Sequence, residues 1–338
     1  MYKKETFTAV ILFFILQICF AQSSFQNLEL GKNSLNYKGN PLKATDRKSL
    51  AFSDKGAWFG FGFLEQSEMQ GGFSGPFLMT EQNGVWLSSS FISLHLTDKN
   101  EQELIDWKTA LVNQNSYNSH LEQEFQNEKL EVKQQLVFSS GHSAIQKTSI
   151  TNRSSKTITL YPIYNSKTYL DNMQLSTEGQ FLKLVSSKSN AVGYIQFFNE
   201  GIDIVITKDS FTAKANKLTL KPNETKEIVV SQTYIFPQYD WKKENENLAK
   251  IQFNTVLKDT KKEKENQLAQ LIAKKKSIYK GAEYSIFIAK LLLTLQNNTR
   301  IPAEGLKHEG LFPSYHYEWF HGFWAWDSWK HTAALAQY

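Results

Sequence analysis

Between residues 25 and 237, short runs alternate apolar and polar residues and are separated by clusters of turn-forming residues. Alternation with a period of two places every second side chain on one face, which is typical of half-buried strands. Clear examples are residues 130–138, 157–164 and 202–207. Residues 218–230 carry Pro-Asn-Glu at their centre, which predicts a hairpin. Many short strands with regular turns predict an N-terminal antiparallel β-sandwich over residues 22–237.

The pattern changes after residue 237. Residues 238–280 are rich in Lys, Glu, Gln and Leu, which favours one or two linker helices with a solvated charged face. Residues 283–296 are apolar almost all round, which predicts a helix buried in an all-α domain over residues 281–338. Asn297 and Asn298 end that helix, and a further helix is expected to begin near Trp326.

The first 21 residues have the order of a signal peptide. Lys3 and Lys4 precede an apolar stretch over residues 7–20, and Ala21 offers a small residue for cleavage before Gln22. The stretch is short for a membrane anchor, which needs about 20 residues. Cys19, the only cysteine, leaves lipidation as an alternative. We therefore expect a periplasmic or secreted protein with no membrane segment beyond the signal peptide.

The charge pattern bears on the partner class. The net charge of +5 is spread along the chain and forms no basic arm. A nucleic-acid-binding protein is expected to concentrate its positive charge on one face or segment. The sequence therefore argues against nucleic acid as a partner.

Aromatic residues are concentrated near the end of the chain. They make up 14% of the chain but nine of the eighteen residues from 312 to 329. Exposed rings offer platforms for the apolar faces of sugars and exclude water. A hydrophobic core beneath a loop is the alternative that composition alone leaves open.

Asp327 is the candidate for chemistry in this aromatic segment (residues 312–329). A carboxyl group among indole rings is poorly solvated, and poor solvation favours its protonated form, which a general acid needs. The alternative is a helix N-cap, a position that Asp favours, and Glu318 is a weaker candidate for the acid. The histidines at 308, 316, 321 and 331 have spacings that match no compact metal motif, so hydrogen bonding to hydroxyls is the favoured role.

Two stretches resemble glycoside hydrolase family 63, which includes mannosyl-oligosaccharide glucosidases and a bacterial periplasmic α-glucosidase branch. One is W-x-W-D-x-W-K at residues 324–330, and the other is the Gly-Gly-Phe-Ser-Gly-Pro element at residues 71–76. The resemblance implies a β-sandwich joined to an (α/α)6 toroid, whose first helices this chain would hold. It also implies an inverting reaction with no cofactor and no metal, in which Asp327 is the general acid and the base lies beyond Tyr338. The substrate-binding residues that we expect are Trp324, Trp326, Tyr317, His321, Lys330 and Phe73.

The sequence thus predicts an inverting exo-acting α-glucosidase whose partner is an oligosaccharide or glycoside substrate. This portion alone is expected to be inactive, because an inverting glycosidase needs a base as well as an acid. A trehalase-like enzyme with the same toroid is one alternative. A non-catalytic carbohydrate-binding or scaffold protein, in which the aromatic segment only binds sugar, is the other.

Overall fold

A computed structural model describes residues 25–198 and 201–336 of the 338-residue chain. The predicted signal peptide at residues 1–21 lies outside the described residues. No helix of the described part combines the length and the apolar character needed to cross a membrane.

Strands dominate the first two thirds of the chain. In chain order they are β1 (Phe59–Gly62), β2 (Ser74–Leu78), β3 (Val85–Trp86), β4 (Ser93–Thr97), β5 (Leu111–Ser116), β6 (Leu121–Gln126), β7 (Leu130–Phe138), β8 (Ser143–Asn152), β9 (Ile158–Lys167), β10 (Met173–Glu178), β11 (Phe181–Ser186), β12 (Val192–Phe197), β13 (Asp203–Ile206), β14 (Ser210–Lys214), β15 (Leu218–Leu220), β16 (Thr225–Ile235), β17 (Thr299–Arg300) and β18 (Gly310–Leu311).

Helices flank these strands. They are α1 (Gln26–Gly31), α2 (Trp107–Ala110), α3 (Trp241–Lys250), α4 (Phe253–Ala273), α5 (Ala282–Asn298) and α6 (Ala325–Leu335), with short 3₁₀ helices at Gln66–Glu68 and Glu318–Phe320. The pairs α3–α4 and α5–α6 therefore follow the sandwich in the chain, as the composition predicts.

The strands form two packed layers. One layer is an eight-stranded antiparallel sheet in the order β10-β11-β12-β16-β8-β7-β6-β5. The other holds a five-stranded sheet, in which β9 pairs with β4, β14 and β15, together with the three-stranded sheet β1-β2-β3. The predicted β-sandwich is therefore confirmed. The predicted toroid stays a prediction.

Aromatic rings join the two layers. The Tyr164 ring on β9 lies 4.9 Å from the Phe197 ring on β12, and the Phe59 ring on β1 lies 4.9 Å from the Tyr234 ring on β16. All four side chains are buried in one continuous core. Full burial of a large apolar side chain stabilises the fold by about 1.5–3 kcal/mol, so this core can hold the sandwich together.

The predicted hairpin at residues 218–230 is wrong. Both strands form, but β15 pairs with β9 in one layer, whereas β16 pairs with β8 and β12 in the other. Asn223, with φ of 63°, makes the intervening turn. The position of the turn was predicted correctly. The chain crosses between the two layers at this turn, because β15 and β16 pair with other strands and not with each other.

The N-terminal segment departs from the β pattern. Residues 26–31 form α1, which packs against the C-terminal helices, with Leu28 buried beside Leu268 and Ala289. The Glu265 carboxylate accepts hydrogen bonds from the backbone N–H groups of Asn27 and Leu28 at 3.1 and 3.0 Å. These bonds satisfy donors that every helix N-terminus leaves unpaired. The first residues of the range predicted as sandwich thus pack with the helices α4 and α5.

A buried ion pair fastens α4 to the sandwich. Lys264 Nζ lies 2.8 Å from Asp54 Oδ1, and their side chains are only 7% and 1% exposed. On the same helix, Glu263 pairs with Lys55 at 3.5 Å, but that pair is exposed to solvent. The two pairs connect the same two elements at different degrees of burial.

We expect Lys264→Met to lower the free energy of unfolding by about 3 kcal/mol, because it leaves the Asp54 carboxylate buried and unpaired. Lys55→Met is the matched control and should cost less than about 1 kcal/mol, since its pair is screened by water. Urea denaturation followed by circular dichroism measures both. Equal losses in the two variants would contradict the assignment.

Candidate active site

The aromatic segment is anchored by buried polar residues at the end of α5. Asn297 Oδ1 accepts a hydrogen bond from the Ser53 N–H at 3.0 Å, and Asn297 Nδ2 donates to the Tyr37 hydroxyl at 2.6 Å. The next residue, Asn298, accepts from the Tyr315 N–H at 2.9 Å through Oδ1. Two adjacent amides therefore bind the sandwich on one side and the aromatic segment on the other.

Arg300 completes this anchor. Its side chain is fully buried and donates a hydrogen bond to the Asn297 carbonyl at 2.8 Å. Its guanidinium lies 5.7 Å from the centre of the Tyr315 ring. Burial lowers the pKa of Arg300 to about 9, and its Nε has no hydrogen-bond partner among the described residues.

Tyr315 ties the segment to the three-stranded sheet. Its hydroxyl accepts a hydrogen bond from the Ala51 N–H at 3.0 Å, and its ring lies 6.5 Å from the Phe77 ring. Burial raises the pKa of Tyr315, because the phenolate would be poorly solvated. We call Asn297, Asn298, Arg300 and Tyr315 the clasp.

Beyond the clasp, the aromatic rings are open to solvent. Phe320 stacks on Tyr317 with ring centres 5.8 Å apart, and it meets Trp324 edge-on at 6.2 Å. A contiguous exposed apolar surface is uncommon in soluble proteins and indicates a binding surface. The exposed side chains are Tyr317, Trp319, Phe320, Phe323, Trp324, Trp326 and Trp329.

Asp327 lies in the first turn of α6 and is partly exposed. The helix begins at Ala325, so the N-cap alternative is wrong. The neighbouring Ser328 is buried, and its hydroxyl donates to the Leu311 carbonyl of β18. This bond fixes the turn that carries Asp327 relative to the clasp.

Two predicted substrate-binding side chains meet beside Asp327. Lys330 Nζ lies 4.1 Å from the centre of the Trp326 ring, a cation–π contact across one helical turn. Trp326 is 70% exposed and Trp324 is 50% exposed. The rings are therefore accessible to a ligand. The described residues do not enclose the Asp327 carboxyl group, which the sequence predicts to be poorly solvated.

His321 lies at the base of the segment, with its ring 5.9 Å from the Phe312 ring. Burial, followed by the positive charges of Arg300 and Arg47, lowers the pKa of His321 to about 3. Burial also lowers the pKa of His316. Both imidazoles are neutral at physiological pH and can both donate and accept hydrogen bonds, as contacts to neutral hydroxyls require.

Phe73 lies apart from the other candidates. Its side chain is 3% exposed and packs in the sandwich core, 5.9 Å from the Phe63 ring. Glu318, the weaker acid candidate, is exposed in the short 3₁₀ helix Glu318–Phe320. Tyr317 and Trp324 therefore both contact Phe320, and Trp326 contacts Lys330, whereas Phe73 is in the core.

Sequence reasoning missed Arg300 and Tyr315. Arg300 stands in an ordinary Asn-Thr-Arg-Ile-Pro stretch, and Tyr315 is one of many aromatics in its segment. Nothing local distinguishes them, because their partners Met79, Phe77 and Ala51 are distant in sequence. In residues 25–198 and 201–336, no three His, Cys, Asp or Glu side chains converge on a metal position.

Comparisons with known proteins found one family match and several solved structures of similar fold. Residues 39–192 match the family of the N-terminal domain of the glucosidase YgjK. The fold resembles that of a human-microbiome protein described as a kojibiose phosphorylase, with a TM-score of 0.52 and 12% identity over 73% of this chain. It also aligns with a family GH92 inverting mannosidase from Bacteroides thetaiotaomicron, with a TM-score of 0.47 and 10% identity over 86% of this chain and 42% of the mannosidase. No curated protein matches the chain significantly in sequence.

The chain spans 39% of the length of that phosphorylase-like protein. At 12% identity the structural likeness concerns the fold alone. Residues 39–192, which match a glucosidase N-terminal domain, therefore lie within the β-sandwich, and helices and the anchored aromatic segment follow it.

We expect the stability of the protein to become less sensitive to acid in the variant His321→Gln. The folded-state pKa of His321, about 3, lies below the unfolded value of about 6.5. The unfolded state then binds more protons, so the stabilisation is complete above pH 6.5 and is lost as the pH falls towards 3. Urea unfolding of parent and variant at pH 7.5 and pH 4.5 measures this difference, and equal losses on acidification would contradict it.

Proposed function

We propose that the protein carrying this chain is an inverting, exo-acting α-glucosidase in which Asp327 is the general acid. The observation that carries the proposal is the partly exposed carboxyl group of Asp327 beside accessible indole rings, on a helix turn that Ser328 pins in place. The match of residues 39–192 to a glucosidase N-terminal domain supports the substrate class. Assignment to glycoside hydrolase family 63 is part of the same proposal.

The exposed rings suit the apolar faces of a sugar. Trp324 and Trp326 stand three and one residues before Asp327, and Tyr317 stacks beside Phe320. A sugar bound against such rings loses water from its hydrogen-bearing face and presents its hydroxyls elsewhere. Neutral His321 and the ammonium group of Lys330 are the polar groups that we assign to those hydroxyls.

The chemistry requires two carboxyl groups. The Asp327 carboxyl delivers its proton to the glycosidic oxygen as the bond to the anomeric carbon breaks. A carboxylate on the opposite face, about 6.5–9.5 Å from the acid, takes a proton from the water whose oxygen bonds to that carbon. The product therefore has the opposite anomeric configuration, and the leaving group departs as a neutral alcohol.

Export from the cytoplasm is a separate part of the proposal. Its support is the basic, apolar and small-residue order of residues 1–21, with cleavage before Gln22. Such a location places the enzyme where it meets extracellular or periplasmic oligosaccharides. N-terminal sequencing of the mature native protein tests this part, and a mature chain that retains Met1 would contradict it.

In the native protein, expressed from its complete reading frame, we expect Asp327→Asn to reduce hydrolysis of unactivated α-glucosides by about 10²–10⁴-fold. The amide retains the shape of the side chain but has no acidic proton to deliver. Glucose release from maltose, nigerose, kojibiose and trehalose measures turnover. NMR of the first product tests inversion, which gives β-glucose.

Glu318→Gln is the matched control and should retain turnover. Loss of activity in Glu318→Gln but not in Asp327→Asn would move the acid to Glu318. Higher turnover on trehalose than on the other disaccharides would favour the trehalase-like alternative.

A carbohydrate-binding protein without catalysis is the second candidate. The observation that favours it is the high solvent exposure of the indole rings, which suits the binding of an extended polysaccharide. In that case the native protein binds α-glucans, loses affinity in Trp326→Ala and shows no hydrolysis that depends on Asp327.

A further inference from the structure

An open cleft lies on the sandwich, in a part of the fold that the aromatic segment does not line. Its volume is about 570 Å³, and no lining residue comes from residues 311–336. The lining side chains are mostly hydroxyls and amides: Gln70, Ser88, Ser89, Ser90, Asn165, Ser166, Lys167, Tyr169, Ser210, Phe211 and Thr212. We call this the serine cleft.

Strand register places polar side chains side by side in the serine cleft. Asn165 on β9 stands opposite Thr212 on β14, and both residues line the cleft. The Asn165 amide oxygen lies 3.1 Å from His95 Nε2, so its orientation is held by a neighbouring strand. The two neighbouring strands β9 and β14 therefore present an amide and a hydroxyl group side by side.

A second set of hydroxyls forms one wall. Ser88 Oγ lies 3.0 Å from Ser166 Oγ, and Ser166 Oγ donates to the Ser90 carbonyl at 3.1 Å. Ser90 Oγ is buried and has no hydrogen-bond partner among the described residues. The Ser88 and Ser166 hydroxyl groups thus form the connected polar part of this wall, whereas Ser90 Oγ lies buried behind it.

The glycine-rich element at residues 71–76 supports this wall from behind. A Cβ on Gly72 would lie 2.3 Å from the Ile92 carbonyl oxygen and 2.7 Å from Ser90 Oγ. The Gly75 N–H donates to the Ser89 carbonyl at 2.9 Å, and Gly75 has a φ of 104°. Only glycine allows this close approach and this backbone conformation, so the element sets the position of residues 88–90.

The serine cleft carries little charge for its size. Lys167 is the one charged residue in the lining, and its ammonium group lies 2.9 Å from the Asp209 carboxylate. Tyr169 is 36% exposed, and its hydroxyl donates to the Pro41 carbonyl at 2.9 Å, which holds the ring in place. Neutral hydroxyls, amides and one fixed aromatic ring match a neutral polyhydroxylated ligand better than an anion.

We propose that the serine cleft is a second carbohydrate-binding site that holds a neutral oligosaccharide at a distance from Asp327. The hydroxyls and amides of the cleft form hydrogen bonds with sugar hydroxyls, and the Tyr169 ring supports an apolar sugar face. Binding in the serine cleft involves no hydrolysis. The proposal therefore does not depend on whether Asp327 is the general acid. It gives the sandwich the role of retaining a polymeric substrate.

Hydrogen–deuterium exchange of the native protein with maltoheptaose as the probe tests the proposal. We expect the sugar to protect residues 86–92, 163–170 and 208–213, and to do so equally in the Trp324→Ala/Trp326→Ala variant. Protection confined to residues 311–331, or no protection at millimolar sugar, would overturn the proposal. Protection by oligogalacturonate equal to that by maltoheptaose would overturn the neutral-ligand assignment.

Site variants measure the contribution of the cleft. Asn165→Ala should weaken maltoheptaose binding at the cleft by about fivefold to tenfold, the effect expected for one or two lost hydrogen bonds. Thr159→Ala is the matched control on the same strand, since Thr159 is exposed and lies outside the cleft lining. Unchanged affinity in Asn165→Ala, or an equal loss in Thr159→Ala, would overturn the assignment.

The readouts separate this proposal from the proposed function. Asp327→Asn should leave protection of the serine cleft intact, whereas Asn165→Ala should leave hydrolysis of a disaccharide unchanged. Loss of cleft protection in Asp327→Asn would show that the two are one site and would overturn the proposal.

Discussion

The position of the aromatic segment depends on the burial of an arginine that has no acidic partner in the described part of the chain. Arg300 stabilises the turn after α5 only because the Asn297 carbonyl and the Tyr315 ring replace part of its hydration. Removing a charged group from water is costly unless hydrogen bonds or a counter-charge compensate. Each residue of the clasp therefore needs the others, and together they hold Tyr315 against the end of α5.

The clasp is buried, whereas the aromatic side chains that follow it are exposed to solvent. Four residues after Tyr315, Trp319 is 70% exposed, and the rings up to Trp329 share that exposure. A similar contrast runs along α5, where Leu293 is buried in the sandwich core and Ala289 is buried beside Leu28, while Phe287 is 57% exposed. Binding elements benefit from such an arrangement, because a rigid base limits the conformational entropy that a ligand must remove.

The local features of the fold could be predicted from the sequence. Period-two alternation identified β7 within its observed bounds, and the start of α6 was predicted within one residue. Both signals act within a few residues of the chain. The pairing of β15 with β9 could not be predicted in this way, because it depends on competition between partners far apart in sequence.

In the candidate site, too, local features could be predicted from the sequence, whereas contacts between distant residues could not. Clustered aromatics around Asp327 are visible in the sequence, and five of the six predicted substrate-binding residues lie between Tyr317 and Lys330. Phe73 lies in the core instead, because the glycines beside it draw that loop against the β4 strand. Arg300 gave no signal, since its burial arises only when distant elements meet.

The long sequence separation within the clasp has a consequence for how the chain matures. Ser53 leaves the ribosome 244 residues before its partner Asn297. At a synthesis rate of about 5–20 residues per second, the wait is on the order of 10–50 s. During that interval water or a chaperone must supply the hydrogen-bond acceptors for the N–H groups of Ala51 and Ser53. Maturation of the aromatic segment is therefore a late event, set by the arrival of α5 at the finished sandwich.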